Sequence, residues 1–118
     1  MYLRISSFHL KPDTSQAQAV SAFADVIRTA RAQDGFLGCS LLMNEHTGIV
    51  AGLTYWDNQE HASQAGLVLQ PLLYQTVRDI TDAPCDIAGY EILDFPIPDG
   101  GAFGDDRSPA VAWESAAQ

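Results

Sequence analysis

Basic side chains are scarce in this sequence: six Lys and Arg stand against fifteen Asp and Glu, for a formal net charge of −9 at neutral pH. The acids are scattered, and no Lys/Arg cluster exists to neutralise a row of phosphates, so neither nucleic acid nor an anionic membrane is an expected partner. Cysteine is scarcer still. Cys39 and Cys85 lack C-x-x-C spacing and are too few for a disulfide scaffold, so both are expected to be buried as small apolar residues. No apolar run approaches the ~18 residues a membrane span needs, and no basic segment leads into an apolar one behind Met1. A soluble, cytoplasmic protein is expected. The G-x-G-x-x-G, P-loop and H-E-x-x-H patterns are also missing, so no cofactor is expected. His9, His46 and His61 lie far apart in sequence, without close acid–histidine pairing of the metal-ligand type, and no metal site is expected.

What is present is the composition of a globular domain, 47% hydrophobic and 18% charged. A length of 118 residues suits one domain with an extension. The domain is read as residues 1–95. Residues 96–118, rich in Pro, Gly and Asp, form a C-terminal tail whose Phe103, Val111 and Trp113 are expected to dock on the body of a dimer.

Within the domain, Tyr2 to Leu10 alternates as a strand that is apolar on both faces, with Leu3 and Ile5 opposite Tyr2, Phe8 and Leu10. Asp13 with Gln16 fits a capping box, and Val20, Phe23, Ile27 and Ala30 recur at helical steps, with Arg28 and Arg31 at the carboxyl end and Gly35 as its C′ residue. Phe36–Met43 and Gly48–Trp56 flank the polar Asn44-Glu45-His46-Thr47, which predicts a hairpin. Asp57 and Glu60 fit a second capping box, opening a helical region that runs to about Ile80, broken near Gly66 and restarted near Pro71. Asp86–Phe95 reads as the last strand.

This order, strand, helix, strand, strand, helix, strand, predicts an α+β, ferredoxin-like βαββαβ domain with an antiparallel sheet. Two helices cover only one face of four strands, yet the first and third strands are apolar on both. The simplest cover for the second face is the same face of an identical chain, which predicts a homodimer.

Gly35-Phe36-Leu37-Gly38, followed by Leu53-Thr54-Tyr55-Trp56-Asp57-Asn58-Gln59-Glu60, resembles the antibiotic-biosynthesis monooxygenase family, where a G-F turn enters strand two and strand three ends in W-[ED]-[SDN] at the cap of helix two. The resemblance spans roughly Tyr2 to Phe95. It implies a dimeric α/β barrel with a pocket between sheet and helices in each subunit. It also implies oxidation of a phenolic, anthrone-like or quinol substrate, small, aromatic or polyketide-like, by dioxygen without metal or flavin. A phenolate or enolate can itself give an electron to dioxygen, so the protein need only bind it, take a proton and stabilise the anion. A noncatalytic small-ligand-binding dimer and a non-oxidative cyclase or isomerase are the alternatives on this frame. The heme-degrading branch is disfavoured: its strand-one Asn falls on Ser6, its helix-two Trp on Ala65, and its heme-binding His on Tyr74 or Gln75.

Strand alternation puts Arg4, Ser6 and Phe8 on the helix-covered face. A cation there is costly to desolvate, so Arg4 is either paired with an acid or poised for a substrate anion. His61, in the first turn of the second helix, is the candidate base, with a surface position as the alternative. The resemblance adds Trp56, as core anchor or aromatic wall, with Tyr74 and Gln75. Phe23 and Ile27 complete the substrate-binding candidates from the first helix. Arg4 and His61 are the catalytic candidates.

Overall fold

The computed structural model describes residues 1–83 and 85–93. Six elements follow in the expected order: β1 (Tyr2–His9), α1 (Gln16–Ala30), β2 (Phe36–Asn44), β3 (Ile49–Trp56), α2 (Gln59–Val77) and β4 (Asp86–Glu91). The strands form one sheet in the order β2-β3-β1-β4, and every neighbouring pair is antiparallel. The fold is therefore ferredoxin-like α+β. The tail and its three apolar anchors lie outside the described residues, as do the last residues of the strand expected to reach Phe95. No helix among the described residues is long and apolar enough to cross a membrane.

Both helices start one or two residues later than the capping patterns predict. Ser15, not Asp13, caps α1: its side chain accepts from the Gln18 backbone N–H while Gln18 reaches back to the Ser15 N–H, a complete capping box. Asn58, not Asp57, caps α2 by accepting from the His61 N–H at 2.8 Å. The buried stripe of α1 is Ala19, Phe23, Val26 and Ala30. Val20 is exposed and Ile27 only half-buried, because the small Ala19 lets the helix sit on the sheet on that side. Nor is Gly35 the C′ residue of α1. Arg31 caps that helix, and Gly35, at φ +84°, lies in the turn entering β2.

Helix α2 runs unbroken through Gly66 and Pro71, contrary to the expected break. Pro71 removes one i→i−4 hydrogen bond, but the carbonyl it orphans belongs to Leu67, which is 75% exposed and open to water. The inner face of the helix, Ala62, Ala65, Gly66, Leu69, Leu73 and Val77, is continuous and buried.

The core lies between the helices and one sheet face, around Phe8, Val50 and Trp56. The register places Arg4, Ser6, Phe8, Val50, Gly52, Thr54 and Trp56 on this covered face. On the opposite face Leu3, Ile5, Ala51, Leu53 and Tyr55 are half-buried, and Leu42, Ile49 and Tyr90 are exposed. That second face is apolar at its centre, and among the described residues no helix covers it. Cys39 is exposed, because β2 is an edge strand, and Cys85 is half-buried, so the expectation of two buried thiols fails for the first and holds only in part for the second. Burial beside Asp86 pushes the Cys85 thiol up to about 11, well away from a reactive thiolate at neutral pH.

Candidate active site

A cleft opens on the covered face between the sheet and both helices. Arg4 and Ser6 of β1, Gly52 and Thr54 of β3, Phe23 and Val26 of α1, Leu69, Gln70 and Leu73 of α2, and Ile87 of β4 line it. Antiparallel register brings the strand residues together, since Arg4 pairs with Thr54 and Ser6 with Gly52. The enclosed space is only about 30 Å³, room for one water molecule.

Arg4 is the charged group of this cleft. It is half-buried, and among the described residues no carboxylate lies within ion-pair distance of it. Burial pulls its pKa below the ordinary arginine value, with Tyr2 acting weakly in the other direction. Its place is set by Gly66: a Cβ there would lie 2.9 Å from Arg4 Nη1 and 3.0 Å from Cζ, so a larger residue would push the guanidinium from its present position against α2. The guanidinium thus lies against the Gly66 stretch of α2 and, among the described residues, beside no acid.

Thr54 stands beside it. Trp56 Nε1–H donates to Thr54 Oγ1 at 2.9 Å, which occupies an acceptor lone pair and leaves the hydroxyl proton for another partner. Trp56 itself is fully buried, with Phe36 edge-on at a centroid distance of 5.5 Å.

Of the nine candidates from sequence, the cleft gathers Arg4, Ser6 and Phe23. The other six sit elsewhere. Phe8 and Trp56 are core residues behind the lining, and Ile27 is half-buried against the core. Tyr74 and Gln75 are exposed, Tyr74 in an outer hollow with Leu67 and Pro71, because the inner face of α2 turns away from both. His61 lies outside the lining, at the start of α2 against the Gly35 turn, and its Nδ1 meets Asp57 Oδ1 at 2.6 Å. This hydrogen bond raises the His61 pKa above its ordinary value. His9 likewise has an acid partner that its sequence neighbourhood does not reveal, Asp82 at 2.7 Å.

Sequence reasoning missed Gly52, Thr54, Gly66, Gln70 and the apolar walls. Thr54 was within reach, since strand alternation puts it on the face of Trp56. A wider hollow of about 510 Å³ lies at the opposite end of the sheet, among His9, Lys11, Glu45, His46 and Thr47. It is broad and solvent-facing, and the described structure buries no charge in it. The half-buried Arg4 marks the smaller cleft as the stronger candidate.

No family model and no curated protein matches the sequence. Solved structures do match. SnoaB from Streptomyces nogalater, a cofactor-independent oxygenase, aligns with a TM-score of 0.64 at 15% identity, over 83% of this chain and 97% of that one. A protein from Nitrosomonas europaea assigned as an antibiotic biosynthesis monooxygenase aligns at 0.62 and 17% identity, over 80% and 100%. Rv0793 from Mycobacterium tuberculosis aligns at 0.60 and 18% identity, over 80% and 96%. At such identities the likeness is one of fold.

Proposed function

Starting from the antibiotic biosynthesis monooxygenase fold, we propose that this chain is a cofactor-independent monooxygenase that oxidises a phenolic, anthrone-like or quinol small molecule with dioxygen. The observation that carries this reading is Arg4, a half-buried guanidinium at the sheet–helix cleft with no carboxylate beside it among the described residues. A nearby positive charge lowers the pKa of a bound phenol or enol, so the substrate anion forms there without a protein base in the cleft. The anion gives an electron to dioxygen, the two radicals couple to a peroxide, and loss of water leaves a carbonyl. For an anthrone the balance is CH2 plus O2 giving C=O plus H2O. One oxygen atom enters the product and the other leaves as water. His61 bonds Asp57 through Nδ1, which leaves Nε2 able to take a proton, but its ring does not line the cleft, so Arg4 carries the catalytic role here and His61 does not. We further propose that two copies pair through the uncovered sheet faces.

Oxygen uptake and mass spectrometry on a panel of anthrones and hydroquinones test the reading. The expected product of anthrone is anthraquinone, with Arg4→Ala slowing turnover by about 10²–10³-fold, as for loss of one oxyanion donor. No enzyme-dependent oxygen uptake across the panel overturns it. A noncatalytic ligand-binding dimer is the second reading, favoured by a cleft lining that, among the described residues, holds no histidine or carboxylate. Saturable binding without oxygen uptake would select it.

A further inference from the structure

Phe23 belongs to the buried stripe of α1, at 9% exposure, and shares the cleft wall with Val26, Leu69 and Leu73. Its ring lies on Gly52, at the floor of the cleft. A Cβ on Gly52 would overlap Phe23 Cε1 and lie 2.9 Å from Cδ1 and 3.0 Å from Cζ, so the missing side chain of residue 52 makes the seat the ring fills. With the ring in place the cleft has room for about one water molecule, too little for any aromatic substrate. Arg4 pairs with Thr54 and Ser6 with Gly52, so the guanidinium's residue is the diagonal neighbour of the seat on the same sheet face.

We propose that Phe23 is the specificity-determining gate of the cleft: its ring occupies the place on Gly52 that a planar substrate ring takes, and binding requires it to turn away. The proposal rests on the reading of this cleft as the substrate site. The movement the gate needs is a turn of χ1 to the other staggered well that a helix favours, which carries the ring off Gly52. The bare glycine then presents flat strand backbone to an incoming ring, and Arg4 meets an oxygen on that ring's edge. Each molecule with Phe23 seated is closed, so the apparent affinity falls by the fraction of molecules that are open.

The test is calorimetric titration of 1-naphthol into the full chain and its variants, with thermal melting to establish folding. If the open form is about 10% populated or less, Phe23→Ala binds 1-naphthol about tenfold or more tightly than the wild type. Phe23→Leu, which keeps more apolar volume, should tighten binding less. Gly52→Ala in the Phe23→Ala background should abolish the gain, because the new Cβ fills the seat. Folded Phe23 variants that bind 1-naphthol no more tightly than wild type overturn the gate, and so does a Gly52→Ala change without effect in that background. If neither Phe23→Ala nor Phe23→Leu melts cooperatively, the ring is a core keystone and the proposal falls as well. None of these readouts uses oxygen: tighter naphthol binding with no oxidation of any anthrone leaves the gate and removes the monooxygenase, and the reverse result does the opposite.

Discussion

The two faces of the sheet are made from alternate residues of the same strands, yet they tolerate different chemistry. On the covered face, Arg4, Ser6, Gly52 and Thr54 break the apolar lining between Phe8 and Trp56, and two glycines, Gly52 and Gly66, make room for Phe23 and Arg4. On the uncovered face the centre is Leu3, Ile5, Leu53 and Tyr55, with no charge among them. Helices on one side exclude water, so a cation there has a short list of partners and becomes informative. The other side has only apolar area to offer, and association is what such a face can do.

The largest expected effect breaks the uncovered face. Ile5→Glu places a charge at its centre, and an unpaired charge buried in an interface costs about 3–5 kcal/mol, more than a hundredfold in dimer affinity. Sedimentation or light scattering should show a dimer for the wild type and a folded monomer for the variant. A wild type that is monomeric at micromolar concentration, or a variant that dimerises equally well, removes the proposed interface.

On the covered face, Gly66→Ala sharpens the contrast between stability and site. Alanine in place of a helical glycine gains roughly 0.5–1 kcal/mol from backbone entropy, but here its Cβ meets the Arg4 guanidinium. That guanidinium ends a flexible side chain and gives way, so the melting temperature should change little. A shift of a few tenths of an ångström relieves the contact, so the displaced charge should cost less in turnover of the anthrone substrate than the roughly 10²-fold that about 1 Å of misplacement carries. A loss of stability with unchanged turnover would mean that the placement of Arg4 is immaterial to the chemistry.

How much of this was legible beforehand follows from which signals are periodic. The element order came through because strand and helix periods differ, and the helix-covered side of Arg4 and Ser6 follows from alternation with Phe8. The caps slipped because Asp13 and Ser15, or Asp57 and Asn58, are all competent capping residues, and only backbone geometry chooses between them. The face of α1 was misjudged by giving weight to Val20 over Ala19, although a small residue is what lets a helix approach a sheet closely. Gly52 and Gly66 carried no signal, since a glycine that admits a neighbour's side chain is defined by that neighbour and not by its own surroundings in sequence. His61 was a reasonable base by residue type. Its place at the start of α2, against the Gly35 turn and bonded to Asp57, puts its ring outside the cleft lining.

That pair gives the smallest expected effect, and it lies on neither face of the sheet. His61 sits in the first turn of α2 with its side chain 36% exposed, bonded to Asp57, with Asp34 and Glu60 adding to the negative surroundings. Its folded-state pKa is raised above the ordinary 6.5, the hydrogen bond to Asp57 being the main cause. The protonated form is therefore bound more favourably in the folded chain than in the unfolded one. The stabilisation is present in full below the unfolded value and disappears as pH rises through the folded value. Denaturant unfolding from about one unit below to two units above the ordinary histidine pKa should show the wild type losing a little stability relative to His61→Gln. Oxidation kinetics with anthrone should give the two proteins the same turnover, since this imidazole does not line the cleft. A His61→Gln variant with slowed turnover and a displaced pH profile would return His61 to the role of base and remove the claim that Arg4 acts without one.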